Sequence, residues 1–159
     1  MIKKSPVIMF TIAMALAVAA AAVFSLFQPH GELVLRDADT GAEYARFSVG
    51  RSAEFSITFI HSVNNSPYTD YYEISRDGTF LIGMRYYEFG AGVPSELGPE
   101  ETIEYLEDGS LKITGKRLFI PELTYLLGRE TDHILGLDGQ KYSLRKLCGD
   151  KKLVMFIFE

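Results

Sequence analysis

His61 and Ser62 stand where the alternating segment Glu54-Phe55-Ser56-Ile57-Thr58-Phe59 runs into a polar stretch, Ser62-Val63-Asn64-Asn65-Ser66-Pro67. By strand alternation His61 follows Phe55, Ile57 and Phe59 on the same, inward face. An imidazole held part-way into a core needs partners for its ring nitrogens, because an unpaired polar group away from water is costly. Asp70 and Tyr72, just beyond the stretch, have the chemistry to be those partners, and Asn64 adds an amide. The arrangement describes a polar binding site at the end of a sheet, or a histidine that braces a loop. It does not describe a hydrolase. Ser62 and His61 are adjacent on a strand and point to opposite faces, and no Gly-x-Ser-x-Gly elbow occurs.

A second set of residues suits an anion. Gly90 and Gly92 flank Ala91 ahead of Val93-Pro94, and two glycines free the backbone N–H groups to cradle a carboxylate. The same residues also make a sharp sheet corner. Neither the dinucleotide glycine pattern nor the P-loop Lys-Ser/Thr is present, so nucleotide binding is not expected. Arg85 alternates with Tyr87 and Phe89, and Arg117 follows later; a guanidinium fork beside tyrosines matches a carboxylate. His133 opens a further strand-like segment. His61, His133 and one of Asp70, Glu73 or Asp132 have the residue types of a metal set, but no His-x-x-x-His spacing supports one. No metal and no other cofactor is expected.

The elements that must position these residues read as strands. Besides 54–59, the segments 32–36, 44–49, 71–75, 79–87, 111–114, 133–137, 142–144 and 153–158 carry strand patterns. The last is continuously apolar, which predicts an interior place in its sheet. Thr40-Gly41, Asp77-Gly78, Asp108-Gly109 and Asp138-Gly139 punctuate the strands with hairpin chemistry. Helix signals are few: residues 99–108 fit one short helix, and 121–129 another or a β-turn. The expected fold is all-β, a single antiparallel sandwich or small barrel-like domain over residues 30–159.

Ahead of that domain lies a different kind of segment. Residues 7–27 form 21 consecutive uncharged positions after Lys3 and Lys4. At about 1.5 Å per residue they make roughly 30 Å of helix, the thickness of a bilayer core. Two readings stand: an uncleaved signal anchor, or a signal peptide cleaved near the small residues Ala19 to Ala22. Either puts the two lysines in the cytoplasm and residues 30–159 outside it. Lipoprotein processing needs a cysteine just after the apolar run, and the one cysteine is Cys148. A disulfide within the chain is excluded for the same reason.

Composition sets the outer bounds. The chain has 159 residues, 47% of them hydrophobic, with 11 Phe and 9 Tyr, enough for one packed domain. The net charge is −5, and removing Lys3 and Lys4 with residues 1–29 leaves −7. No basic footprint for nucleic acid exists, and adsorption on anionic lipid is disfavoured.

The order of the motifs resembles the bacterial DUF1850 family, a family of unknown function. The likeness starts at His61-Ser62-Val63 followed by Pro67 and an acid, here Asp70 where the family more often has Glu. It continues through Tyr87-Glu88-Phe89-Gly90-Ala91-Gly92-Val93-Pro94, the Asp108-Gly109 turn, Arg117 before Pro121-Glu122-Leu123, and His133 with Leu135. It spans residues 32–158. Tyr68 departs from it, standing where the family usually has a small aliphatic residue. Members are often encoded beside TRAP-type solute transporters of the TAXI class. The resemblance therefore implies a non-enzymatic extracytoplasmic accessory or interaction module, with transporter membrane or binding subunits as partners. The residues themselves leave open a free-standing carboxylate-binding protein and a purely structural interaction domain.

Overall fold

The computed structural model describes Phe10 and residues 13–20, 31–88 and 97–159. The chain runs through β1 (Gly31–Asp37), β2 (Glu43–Val49), β3 (Ser52–His61), β4 (Ser66–Ser75) and β5 (Gly78–Tyr86). Shorter strands follow: β6 (Thr102–Tyr105), β7 (Leu111–Thr114), β8 (Leu118–Ile120), β9 (Leu123–Leu126), β10 (Ile134–Leu137) and β11 (Gln140–Ser143). One helical turn, Leu144–Cys148, leads to β12 (Leu153–Phe158).

These strands form two antiparallel sheets. The smaller has the order β2-β1-β12-β9, and the larger β11-β10-β3-β4-β5-β7-β6, with β8 also pairing β5. The continuously apolar β12 is interior in its sheet, as its composition predicts. Local chemistry fixes the register. Asp138 and Gly139 join β10 to β11 as a two-residue turn with φ of 49° and 73°, and an Asp-Gly step reaches such a pair of positive values at low cost.

One core lies between the sheets. Leu33, Leu35, Val154 and Phe156 of the smaller sheet are buried with Phe55, Ile57, Tyr72 and Leu135 of the larger. The rings of Phe55 and Phe156 stack across the gap, centroids 5.6 Å apart. Burying a side chain of this size is worth about 1.5–3 kcal/mol. That gain requires the alternation that aims Phe55, Ile57, Phe59 and His61 to one side of β3.

The pairing of β4 with β5 contains a bulge. Tyr71 pairs with Gly83 and Tyr72 with Leu81, so Ile82 is the extra residue. A bulge of this kind lets Leu81 and Met84 both reach the core while Ile82 stays on the outer side.

Three expectations change. Residues 99–108 hold the strand β6 rather than a helix; Thr102, Ile103 and Tyr105 favour a pleat, and the Thr102 and Thr114 hydroxyls bond at 3.0 Å across to β7. Residues 121–129 hold β9, an edge strand paired antiparallel along one side with β12. The strand expected over 142–144 ends at Ser143, whose hydroxyl accepts from Lys146 N and so starts the helix at Leu144.

Of the N-terminal apolar run, only Phe10 and residues 13–20 are described; they are helical and exposed. Among the described residues, no helix is long and apolar enough to cross a membrane. The remainder of the expected anchor or signal segment lies outside the described residues.

Candidate functional site

β3 ends at His61, and β4 starts at Ser66. The connection closes when Asn65 N donates to the His61 carbonyl at 2.8 Å, with Asn65 at φ 49°. Asparagine tolerates that conformation better than most residues. Asn64 Nδ2 reaches out and donates to the Glu88 carbonyl at 3.1 Å. At this end of the sheets an open cleft of about 570 Å³ is lined by Phe59, His61, Ser62, Tyr68, Asp70 and His133, with Leu126 and Gly128 opposite.

Rings build much of the cleft wall. His133 stacks on Phe59 with centroids 5.3 Å apart, and Tyr125 meets it edge-on at 5.9 Å. His61 lies 5.9 Å from the Tyr68 ring. Nδ1 of both histidines is shut off from solvent and has no hydrogen-bond partner among the described residues. Any hydrogen bond from either ring to a ligand therefore runs through Nε2. Burial lowers the His133 pKa, with a weaker opposing effect from Asp132. A neutral ring must shield either a lone pair or an N–H at the unpartnered Nδ1, and the lone pair is the less costly of the two. This assigns the hydrogen to Nε2 and makes His133 a donor there.

A polar line runs beside the rings. Tyr125 donates to Asp70 Oδ2 at 2.6 Å, and the hydroxyls of Tyr72 and Tyr125 lie 2.7 Å apart. Tyr125 has one hydroxyl hydrogen and gives it to the carboxylate, so Tyr72 is the donor to Tyr125. Burial raises the Asp70 pKa, and the bond from Tyr125, with the Tyr72 hydroxyl behind it, partly offsets this. Burial first, then the Asp70 charge, holds the Tyr72 hydroxyl well above its ordinary pKa. Tyr125 follows the same pattern and stays protonated.

The structure thus brings His61, Ser62, Asp70 and His133 to one cleft, with Tyr72 joined to it through Tyr125. Arg85 and Tyr87 are elsewhere. Arg85 pairs with Thr69 on the outer side of the larger sheet, donates from Nε to Ser110 Oγ at 2.8 Å and ion-pairs with Asp108. The Tyr87 hydroxyl donates to the same Asp108 at 2.9 Å. Arg117 lies over the Phe80 ring at 4.0 Å and bonds both carboxylate oxygens of Glu73, at 2.9 and 3.1 Å. Gly90 and Gly92 lie outside the described residues.

Among the described residues, no three His, Cys, Asp or Glu side chains are grouped to hold a metal ion. Asp132, one of the metal candidates, accepts instead from Ser143 Oγ at 2.5 Å and Arg145 N at 3.1 Å. The Cys148 thiol is buried, and burial pushes its pKa up to about 11.

Sequence reasoning missed Tyr68 and Tyr125. Tyr68 alternates with Asp70 and Tyr72 and was legible from that spacing. Tyr125 sits 55 residues from Asp70, in a segment with no clear strand pattern, and local sequence carries no signal of their meeting.

A family model described as a domain of unknown function, DUF1850, matches residues 55–144, more than half of the chain. The match runs from the middle of β3 to the first residue of the short helix, and it includes every residue that lines the cleft. No curated protein and no solved structure matches the chain.

Proposed function

The chain belongs to the DUF1850 family, and we propose that it is a non-enzymatic extracytoplasmic module that assists a membrane solute transporter. Its working end is the cleft at His61. The observation that carries this reading is the pair of buried, unpartnered Nδ1 atoms of His61 and His133 beside the half-buried Asp70. A core histidine that only braces a loop would be expected to have its shielded nitrogen bonded. These two rings instead leave their remaining polar capacity to a recess large enough for a small polar group or a partner's side chain.

The placement outside the cytoplasm rests on Lys3 and Lys4 ahead of the uncharged run 7–27, which we read as a signal anchor or signal peptide. The acidic balance of the remainder keeps the domain off anionic lipid and free to meet a protein. The transporter association follows from the family resemblance.

The test is a mild-detergent pull-down of the tagged full-length chain from its own membranes, with partners identified by mass spectrometry. Recovery of transporter membrane or binding subunits, and their loss with His61→Phe, supports the reading. A clean preparation with no membrane protein overturns it. The volume of the cleft favours one second reading, a free-standing binding protein for a small carboxylate or similar molecule. That reading expects the melting temperature to rise with ligand concentration.

A further inference from the structure

The outer face of the larger sheet carries two recesses side by side, of about 300 and 320 Å³, which share Ser56, Tyr71 and Lys141. Their chemistry differs. The first has mainly apolar walls, with the Tyr71 ring and the bulged Ile82 over a floor at Gly136. That floor is open because Gly136 has no side chain: a Cβ there would lie 2.6 Å from Ser56 Oγ. Its acidic groups are Glu54 and Asp138. The second recess is lined by Thr58, Thr69, Arg85, Tyr87 and the shared residues, with Pro67, and by no acidic side chain.

Two cations line the second recess, and the nearest carboxylate, Asp108, stands behind the lining with its charge engaged by Arg85 and the Tyr87 hydroxyl. Lys141 therefore carries the uncompensated charge on a chain of net charge −5. Arg85 is held in place. Its Nε donates to Ser110 and one terminal nitrogen pairs with Asp108, which uses two of five N–H donors and leaves a fork for a further acceptor. Lys141 makes no ion pair among the described residues. Lys112, 5.7 Å from the centre of the Tyr71 ring, adds a third positive charge near the boundary of the two recesses.

We infer that this face is a second binding site, for an amphipathic carboxylate. The apolar body lies in the first recess against Tyr71 and Ile82, and the carboxylate lies in the second between Arg85 and Lys141. The opposite orientation is disfavoured, because it would bring the anion to Glu54 and Asp138. This site is separate from the His61 cleft, which faces the core side of the same strands.

The test uses the full-length chain in lipid nanodiscs and three probes: phenylpropionate, phenylpropionamide and acetate, each titrated calorimetrically against empty nanodiscs. Phenylpropionate should bind, with the amide and acetate each weaker by about tenfold or more. Lys141→Glu, an exposed position, should weaken phenylpropionate by at least the same factor of about ten. His61→Phe should leave its affinity unchanged. Equal binding of acid and amide overturns the inference, as does indifference to Lys141→Glu. Loss of binding in His61→Phe would move the ligand to the other cleft, and absence of heat with millimolar phenylpropionate would remove the site.

Discussion

Tyr125 of β9 donates its hydroxyl hydrogen to Oδ2 of Asp70 in β4 across 2.6 Å, so the smaller sheet is hydrogen-bonded to the larger one beside the cleft. Apolar packing alone would let two sheets slide, since the hydrophobic effect has no direction. A carboxylate with one oxygen committed to a named hydroxyl has a fixed position. The Tyr72 hydroxyl adds a second donor in the same line, 2.7 Å from Tyr125. The cleft between His61 and His133 keeps its shape because this line sets how the two sheets meet.

Tyr125→Phe removes the donor while keeping the ring. Asp70 is then half-buried with one partner fewer, and the Tyr72 hydroxyl loses its acceptor. Unfolding in urea should show a loss of about 1–3 kcal/mol, the range for leaving a buried polar group unsatisfied. The Asp70 carboxyl, already raised by burial, should rise further, because the bond from Tyr125 lowers it. An unchanged urea midpoint with an unchanged Asp70 titration would show that the contact carries no weight.

Much of the fold was legible because strand alternation and Asp-Gly turns are local signals. Residues 54–59 announce the inward face of β3, and His61 was correctly placed on it by counting in twos. β6 and β9 were not legible. Residues 99–108 present Glu100, Glu101 and Glu104 in the manner of a helix start, and only the partner strand β7 turns Thr102–Tyr105 into a ladder. The site divides the same way. Asp70 and Tyr72 were expected as partners of the His61 ring; Asp70 does reach the same cleft, but both side chains bond to Tyr125 and leave His61 Nδ1 unpartnered. Tyr125 reaches them through a sheet-to-sheet contact that no window of sequence contains. Arg85 and Tyr87 were read as anion chemistry at the same working edge as His61, but the register of β4 against β5 puts them on the opposite face.

Asp70 and Asp37 should give opposite pH signatures. Burial raises Asp70 above its ordinary value of 3.8, so its ionised form is disfavoured in the folded state. Its cost to stability is present at neutral pH and disappears as pH falls below the unfolded value. Asp70→Asn keeps an acceptor for Tyr125 and removes the charge. The variant should be more stable than the parent at pH 7 and show no such gain at about pH 3. Urea unfolding at the two pH values measures this; an equal effect at both would assign the change to packing instead of charge.

Asp37 lies at the β1–β2 turn and accepts from the Tyr44 hydroxyl, from Lys152 Nζ at 3.1 Å and from the backbone N–H groups of Asp39 and Thr40. The Tyr44 bond first, then Lys152, holds its carboxyl well below the usual carboxylate range. A lowered folded pKa stabilises the fold above the unfolded value of 3.8, and this is lost as pH falls through the folded value. Tyr44→Phe should weaken this dependence, and Asp37→Asn should remove it, flattening the acid side of the stability curve. Circular dichroism melts between pH 2 and pH 6 follow the change. An acid limb as steep in Asp37→Asn as in the parent would place the titrating group elsewhere.

His133 is the residue at which stability and the proposed function make opposite predictions. Its ring stacks on Phe59 at 5.3 Å and meets Tyr125 at 5.9 Å, surroundings that suit a phenyl ring as well as an imidazole. Its Nδ1 is shielded and unpartnered, and burial lowers its pKa, so the imidazole costs the fold something that a phenyl ring would not. His133→Phe should therefore leave the melting temperature unchanged or raise it. The same change deletes an Nε2 donor from the cleft. If the cleft binds a partner's polar group, recovery of that partner in the pull-down should fall although the variant is folded at least as well as the parent. A residue kept only for structure would show the reverse pattern, with a lower melting temperature and undiminished recovery. The two measurements on one variant thus separate a histidine that serves the fold from one that serves a ligand.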